Sequence, residues 1–566
     1  MIEAWSVADV RAAEHPLLAA GDPLMERASF ALATIVARDV ARRRSVVGPD
    51  GGRRDGRVTG ARAVLLVGPG NNGGDTLFAG AHLVRRGMGV LAVLASEHVH
   101  GGGLAALRRA GGRVVELVPE SGGEGGASRW GDPDPATVED AVSRAVGADV
   151  VLDGLLGIGA SGALRGPAAV LVRRLVEVLG ARTDRDERGG DGSVRSRPWV
   201  VAVDVPSGIG VDDGTLPGTV LRADRTVTFG AAKPGLLVPP AAGAAGHGAV
   251  VEIGLALGAD PAGPPGPAVR RLEARDVGRL WTVPGPEDQK YTRGVLGVVA
   301  GTPTFPGAAV LVTSAAVRTG PGMVRYQGPD DVARAVLAAR PEVVPASGRV
   351  QAWALGSGVP AAAAGGAGHD EPDPGGQHAR IRAALADAAG DPGGATSSGG
   401  PVPTVVDAGA LSLLPDRCPP WFVLTPHAGE LATLLQGRGE AVDRPGVEAE
   451  PLRWARRAHE LTGATVLLKG SVTLVVGPAR VYAQADAPAW LATAGAGDVL
   501  TGILGVVLAG HAARAVAEPG SVAELAAAAA LVHGLAAERA NPGGPISALD
   551  VAAAVPGVVC ELVAAR

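Results

Sequence analysis

Lysine is almost missing from this 566-residue chain: of its 52 basic residues, all but Lys233, Lys290 and Lys469 are arginine. A composition bias that has replaced nearly every lysine makes these three positions informative. None follows the G-x-x-x-x-G-K-[ST] pattern, because Ala232, Gln289 and Leu468 precede them, and this excludes a P-loop. Cysteine is equally scarce. Cys418 and Cys560 have no metal-ligand spacing, which excludes a cysteine zinc site and fits a reducing compartment. An excess of positive charge is also lacking: the formal net charge is −5, so no basic surface points to nucleic acid or to acidic membranes. No uninterrupted apolar run is long enough to span a bilayer, and Met1 to Val10 carries acids with no apolar centre. The expectation is a cytoplasmic protein without nucleic-acid or membrane partners. Glycine, by contrast, occurs 86 times, so glycine richness alone says little.

The length allows two or more domains, each with a full core. Up to about Leu255 the chain alternates strands and helices. Arg62–Val67, Val90–Leu94, Ala148–Asp153, Trp199–Asp204 and Arg225–Phe229 read as strands and Asp75–Arg86 as a helix, which predicts a mainly parallel sheet covered on both faces. Ligands of such sheets bind at the carboxyl ends of the strands, where three loops stand out. The first, Val67 to Asp75, satisfies G-x-G-x-x-G, and with Glu97 as ribose partner it admits an oxidoreductase dinucleotide site. Asn71-Asn72 and the Gly73-Gly74 pair before Asp75 are not required by that fingerprint. The second loop, Leu152 to Gly162, and the third, Val203 to Gly208, each follow a strand that ends in an acid. Singly, Asp153 or Asp204 is as readily a loop stabiliser. Together with an asparagine amide and backbone carbonyls they suit a hard monovalent cation beside an anion.

In this order, and with Thr228 to Gly235 downstream, the three loops resemble the NAD(P)H-hydrate epimerase family. The resemblance implies that Asn71, Asn72, Gly73, Gly74 and Asp75 hold the hydrated dinucleotide together with Gly157, Ile158, Gly159, Ala160, Ser161, Gly162 and Ala163. Asp204 would also contact it, and Asn72, Asp153 and Ser207 would coordinate potassium. Asp153 is the expected acid/base near C6 of the nicotinamide, in competition with its cation role. Thr76 stands where the family usually has glycine, and its side chain is expected to narrow the cradle. Pro23 to Ala28 looks like the family's first helix, packed by the same site.

Ala256 to Pro267 is rich in proline and glycine and reads as a linker, dividing the chain into residues 1–257, a linker 258–269 and residues 270–566. Arg42–Gly60, Pro119–Asp134, Thr183–Pro198, Ala361–Gly376 and Ala388–Pro401 read as surface loops of disorder-favouring composition.

Past the linker, the stretch from Leu491 to Gly502 runs through Gly495-Ala496-Gly497-Asp498 into an apolar, helix-compatible segment. Backbone N–H groups of such a turn converge on an anion, which makes a phosphate cradle. Asp498 at the positive end of the helix is expected to stay ionised and to take a proton from a hydroxyl attacking phosphorus; the plainer alternative is an N-cap. Upstream lie Val466 to Thr473, a strand ending in Lys469, and Leu424-Thr425-Pro426-His427-Ala428-Gly429-Glu430. A strand at Val295–Ala300 leads into Gly301 to Ala309 and a helix to about Thr319. Ala354 to Pro360 forms a further glycine loop, and Val405 to Leu411 ends another strand.

These segments resemble the nucleotide-binding half of the ribokinase-like superfamily, in its ADP-dependent NAD(P)H-hydrate dehydratase branch. The resemblance implies that Ala309, Gly358, His427 and Asp498 meet the hydrated dinucleotide. Lys469, Gly470, Ser471, Val472, Thr473 and Gly497 would surround ADP, with magnesium as the cation. A lone histidine is more often structural, and only its Thr-Pro-His-x-Gly-Glu setting favours a ligand role for His427. Ser357, Pro360 and Gly409 depart from the family pattern, Gly409 replacing an acid. Both resemblances together imply an α/β chain with a Rossmann-like three-layer epimerase domain followed by a ribokinase-like α/β dehydratase domain. Such a chain interconverts the R and S hydrates of NADH and NADPH and dehydrates the S form at the expense of ADP, as a homo-oligomer. Two rivals stand beside it: a small-molecule kinase sharing the cradle and Asp498, and a first half that only binds dinucleotide.

Overall fold

The computed structural model describes residues 1–47, 52–117, 133–183, 197–258, 266–362, 373–390 and 400–566. Most of the linker and most of four predicted surface loops, Pro119–Asp134, Thr183–Pro198, Ala361–Gly376 and Ala388–Pro401, lie outside the described residues. The chain forms two compact units, Glu3–Ala268 and Val269–Arg566, the latter taking in Met1–Ile2 as well. In chain order the first strands are β1 (Ile2–Ala4) and the short antiparallel pair β2 (Val46–Val47) and β3 (Arg53–Arg54), the latter two within the predicted Arg42–Gly60 loop.

The unit Glu3–Ala268 is built on β4 (Arg62–Val67), β5 (Gly89–Leu94), β6 (Arg113–Glu116), β7 (Val150–Gly154), β8 (Trp199–Val203), β9 (Arg225–Phe229) and β10 (His247–Val251). They form one parallel sheet in the order β10-β9-β8-β7-β4-β5-β6. Alternate residues feed two cores. Leu65, Val67, Ala92 and Leu152 point into one, and Val64, Leu66, Val93 and Val151 into the other. Burial on both faces is why these strands read as continuous apolar runs, and it gives the three-layer arrangement. The chain leaves β4 towards β5 and returns as β7 on the other side, so the crevice beyond β4 and β7 is the switch point of the sheet.

The second unit contains β11 (Val269–Arg271), β12 (Val295–Val299), β13 (Met323–Tyr326), β14 (Ala352–Leu355), β15 (Thr404–Val406), β16 (Phe422–Leu424), β17 (Thr465–Leu468), β18 (Thr473–Val476) and β19 (Val481–Gln484). The ten-stranded order is β1-β11-β19-β18-β17-β16-β15-β14-β12-β13, parallel from β13 to β17 and antiparallel through β18 and β19. Lys469 to Val472 is therefore the turn of a hairpin. The helix Ala496–Gly510 lies against the helix Pro306–Thr319 at a close approach that needs Gly502, where a Cβ would stand 2.4 Å from the Val312 carbonyl oxygen.

The segment Pro519–Ala540 is long and apolar enough by length and composition to cross a membrane, although Glu524, Glu538 and Arg539 interrupt it. In the fold 83% of its apolar window is buried inside the protein, so its hydrophobicity is that of a core helix.

Candidate functional site

Two sets of loops carry the sequence-predicted residues, one in each unit. In the first unit the helix after β4 spans Gly70–Arg85, so Asn71 to Asp75 form its opening turn and not the loop read from sequence. The earlier start was hidden because Pro69 at the cap contributes no side-chain hydrogen bond and Gly70 adopts φ +78°. The free N–H groups of that turn face the switch point as an anion cradle. Two glycines make the approach possible. A Cβ on Gly68 would lie 1.8 Å from the Leu155 carbonyl oxygen, and one on Gly73 would lie 2.2 Å from that of Gly68.

Asp153, the last residue but one of β7, has no exposed surface. Its Oδ1 accepts the Ser207 hydroxyl at 2.6 Å and its Oδ2 the Ser207 N–H at 2.9 Å. Burial pushes this carboxyl up, opposed by the bonds from Ser207 and Leu155. Ser207 Oγ accepts the Leu156 N–H at 2.8 Å, so the loops after β7 and β8 are clamped together. Asn72 lies against Gly157, and its buried amide has no partner for either atom among the described residues. Amide, carboxylate and hydroxyl oxygens thus gather around one turn. Among the described residues no three His, Cys, Asp or Glu side chains converge, so this donor set fits a hard monovalent cation and not a zinc-type site.

Asp204 holds φ +65°, uncommon for a residue with a side chain. Its Oδ1 accepts Lys233 Nζ at 2.5 Å and the Thr228 hydroxyl at 3.0 Å. Lys233, 1% exposed, also donates to Thr228 Oγ1 and to the Phe229 carbonyl, each at 2.9 Å. Asp75 is buried, with no partner for Oδ1 among the described residues; burial, then the charges of Asp204 and Glu14, push its carboxyl well above the usual range. Gly157, Ile158, Gly159, Ala160, Ser161, Gly162 and Ala163 form a partly exposed loop. Ala160, Ser161 and Ala163 line a cavity of about 300 Å³ with Gly68 and Pro69. Thr76 does not narrow the cradle as expected. Its hydroxyl bonds back to the Asn72 carbonyl at 2.8 Å, and it fills the space above Gly154, where a Cβ would stand 1.9 Å from Thr76 Oγ1.

In the second unit Gly495 caps the helix Ala496–Gly510 at φ +86°, which makes Asp498 the third residue of its first turn and not an N-cap. Lys469, at the end of β17, reaches this turn: a Cβ on Gly497 would lie 3.4 Å from its Nζ. The ammonium bonds Asp407 Oδ1 at 2.9 Å and lies 3.7 Å from Glu430 Oε2. Asp407 is buried at the end of β15 and also accepts the Ser357 hydroxyl at 2.8 Å and the Thr425 hydroxyl at 2.9 Å. Burial opposes its charge, yet Lys469 and these bonds hold its carboxyl below the usual range. Asp498 behaves differently. Burial and then the charge of Asp407 push it up to about 7, against the pull of Lys469 and Ser357. The expectation of a permanently ionised Asp498 is corrected: desolvation and a like charge outweigh the helix terminus.

His427 is the N-cap of the helix Ala428–Gln436. Its Nδ1 accepts the N–H groups of Gly429 and Glu430, while Glu430 Oε2 accepts the His427 N–H at 2.8 Å. His427 Nε2 lies 3.5 Å from Glu430 Oε1, and the residue lines a cavity of about 840 Å³ together with Lys469, Gly470, Ser471, Thr473 and Gly497. Val472 is buried behind that wall. Asp498 stands at the cavity's edge on the side of Ser357 and Asp407 and does not line it. Ala309 has no exposed surface and packs beneath Gly301, so the structure does not bring it to the cavity. Gly358, at φ +68°, packs on Ala308 outside the same cavity. The departures at Gly409 and Pro360 belong together, because a Cβ on Gly409 would meet the Val359 and Pro360 carbonyl oxygens at 2.2 and 2.4 Å. Sequence reasoning passed over Asp407, although a strand ending in an acid was the signal that drew attention to Asp153 and Asp204.

Residues 21–235 match the family described as YjeF-related protein N-terminus, and residues 296–549 match the family NAD(P)H-hydrate dehydratase. The chain is 39% identical over 521 residues to the bifunctional NAD(P)H-hydrate repair enzyme of Mycobacterium tuberculosis, covering 89% of each chain. It is 42% identical over 264 residues to the NAD(P)H-hydrate epimerase of Clavibacter sepedonicus, covering 46% of this chain and 94% of that one. Among solved structures it is similar to an ADP/ATP-dependent NAD(P)H-hydrate dehydratase from Bacillus subtilis co-crystallized with ATP/Mg2+. The identity there is 22% and the TM-score 0.41, with 51% of this chain and 97% of that one covered.

Proposed function

This chain belongs to the bifunctional NAD(P)H-hydrate repair enzymes, an NAD(P)H-hydrate epimerase joined to an ADP/ATP-dependent NAD(P)H-hydrate dehydratase, and from that premise we propose which residues carry each reaction. The hydrate bears a hydroxyl at C6 of the reduced nicotinamide, a poor leaving group. In the dehydratase, Asp498 accepts the hydroxyl proton as that oxygen attacks the terminal phosphorus of the nucleotide, proposed to be ADP. The new oxygen–phosphorus bond replaces the one to the nucleotide's bridging oxygen. Phosphate then leaves C6, a proton leaves C5, and the ring double bond returns. Lys469 and the N–H groups at Gly497 hold the phosphates. Magnesium would neutralise phosphate charge there; Glu430, Asp407 and Asp498 are the carboxylates at this edge that could hold it, and Gly409 offers none.

The observation that carries this reading is a buried carboxyl in the first turn of a helix, beside the lysine that lines the cavity; burial and the charge of Asp407 push it up to about 7. It predicts a pH profile. Below about 7 Asp498 is protonated and cannot accept the proton, so dehydratase kcat/KM is expected to fall tenfold per pH unit and to level off above 7. Asp407→Asn removes the like charge that raises Asp498, so the acid limb is expected to move to lower pH. Rates on the S hydrate between pH 5 and 9 check both, and a wild-type profile flat over that whole range would remove Asp498 as the base. Phosphorus NMR of the products separates dehydration, which releases free phosphate, from a kinase, which leaves a stable phosphoester.

For the epimerase, the opening turn Asn71 to Asp75 and the loop Gly157 to Ala163 hold the hydrated dinucleotide. Asn72, Asp153 and Ser207 are the residues that would hold potassium, which supplies a fixed positive charge beside an anionic ligand. The acid/base role read onto Asp153 fits Asp75 better. Burial raises both carboxyls, but Asp153 is committed to Ser207 through both oxygens, whereas Asp75 Oδ1 has no partner among the described residues. Asp75→Asn is expected to slow R/S interconversion by roughly 10²-fold or more and to leave dehydration of pure S hydrate unchanged. Asp153→Asn is expected to raise the potassium concentration needed for half-maximal epimerisation. Parallel loss of dehydration in either variant would contradict two separate sites.

A further inference from the structure

The helix Val522–Ala540 is apolar and buried along most of its length, and His533 breaks that pattern. The residue is 7% exposed and lines the 840 Å³ cavity together with Lys469, Gly497, Gln484 and Asp486. Its Nε2 is buried without a hydrogen-bond partner among the described residues. Leaving a buried ring nitrogen unpaired is costly, and an apolar side chain would avoid the cost, so a partner entering the cavity accounts for it. Its position is fixed by the next residue: a Cβ on Gly534 would stand 2.9 Å from the Ala487 nitrogen, which holds this turn against the Gln484 to Ala487 wall of the cavity.

Burial brings the imidazole down to about 4, with the Ala496 main chain opposing and the Lys469 charge assisting, so the ring is neutral at pH 7. A neutral imidazole presents one N–H or one lone pair and is no counter-charge for phosphate. Lys469 and the helix terminus already serve the phosphates. The parts of a nucleotide that take a neutral, directional partner are the ribose hydroxyls and the edge of the base.

Given the reading of this cavity as the nucleotide site, we propose that His533 Nε2 hydrogen-bonds the nucleoside part of ADP or ATP and so sets nucleotide affinity and orientation. The contact is to neutral groups, and it holds the nucleotide without entering the chemical step.

Full-length wild type, His533→Leu and Lys469→Ala are compared in the dehydratase assay with ADP, 2′-deoxy-ADP and inosine diphosphate, and with inorganic pyrophosphate as inhibitor. Lys469→Ala tests the cavity itself: an unchanged KM for ADP would overturn the nucleotide-site reading whatever His533 does. For His533→Leu the expected result is a KM for ADP raised about 5- to 30-fold, kcat changed less than threefold, and an unchanged pyrophosphate inhibition constant. The wild-type preference for ADP over one of the analogues should shrink by a similar factor. The deoxy analogue identifies a ribose contact and the inosine analogue a base contact. An unchanged ADP KM in a folded His533→Leu protein, or pyrophosphate inhibition weakened in step with ADP, would overturn the proposal. If the leucine variant does not fold, the wild type decides: equal KM values for all three nucleotides would overturn it.

Discussion

Asp498→Asn is expected to lower dehydratase turnover by roughly 10²–10⁴-fold in a folded protein, because the isosteric amide cannot accept the hydroxyl proton. The competing explanation, loss of a helix cap, is removed by geometry, since Gly495 occupies the cap and Asp498 the third helical position. What the amide forfeits in stability is the carboxylate's attraction to the helix terminus, worth about 0.3–1 kcal/mol. Even that is reduced here, because a carboxyl with a pKa of about 7 is only partly ionised at neutrality. Nucleotide affinity should hold or improve, since removing negative charge beside the phosphates relieves repulsion. Turnover, ADP affinity and melting temperature are measured on the same variant. Near-normal turnover would dismiss Asp498 as the base, and turnover lost together with ADP binding would make it part of the cradle instead.

Lys233→Met is expected to destabilise the unit Glu3–Ala268 by about 3–5 kcal/mol, the usual result of stranding one partner of a buried ion pair. Asp204 would be left with Thr228 and Phe229 as its remaining donors, in a neighbourhood that already contains Asp75 and Glu14. Adding Asp204→Asn should recover most of the loss, because the double variant leaves no unpaired charge. Calorimetry is expected to show an early transition from this unit and an unmoved one from residues 269–566. A loss below about 1 kcal/mol would mean that water or rearrangement supplies what the ammonium gives, contrary to the burial of the pair. Lys233→Arg is no remedy. The ammonium sends its three donors to three separate acceptors, Asp204, Thr228 and the Phe229 carbonyl, a geometry that a planar guanidinium cannot reproduce in the same space.

That three-way fit explains why lysine persists at 233 in a chain that otherwise uses arginine. Lys469 is similar, placed between Asp407, Glu430 and the turn at Gly497. Lys290 is exposed over the ring of Tyr291 and has no comparable role. The scarcity of lysine in the sequence thus marked two ion-paired positions and one surface residue, and composition could not tell them apart because burial is not a property of composition.

The sequence by itself determined the alternation of strands and helices, the strand-end acids Asp153 and Asp204, the glycine turns and the order of the two halves, since all of these are written in short-range spacing. Tertiary structure decided the rest. Asp407 and Lys469 are 62 residues apart and meet because β15, β16 and β17 are neighbours in the sheet. The Asp498 carboxyl is raised by burial first and then by the charge of Asp407, against the pull of Lys469; Ala309 is withdrawn by the close packing beneath Gly301, and Thr76 is turned away from the cradle by the space above Gly154. Hydrophobic spacing and turn chemistry are local along the chain, whereas desolvation, Coulomb energy and steric room are sums over neighbours that only strand order brings together.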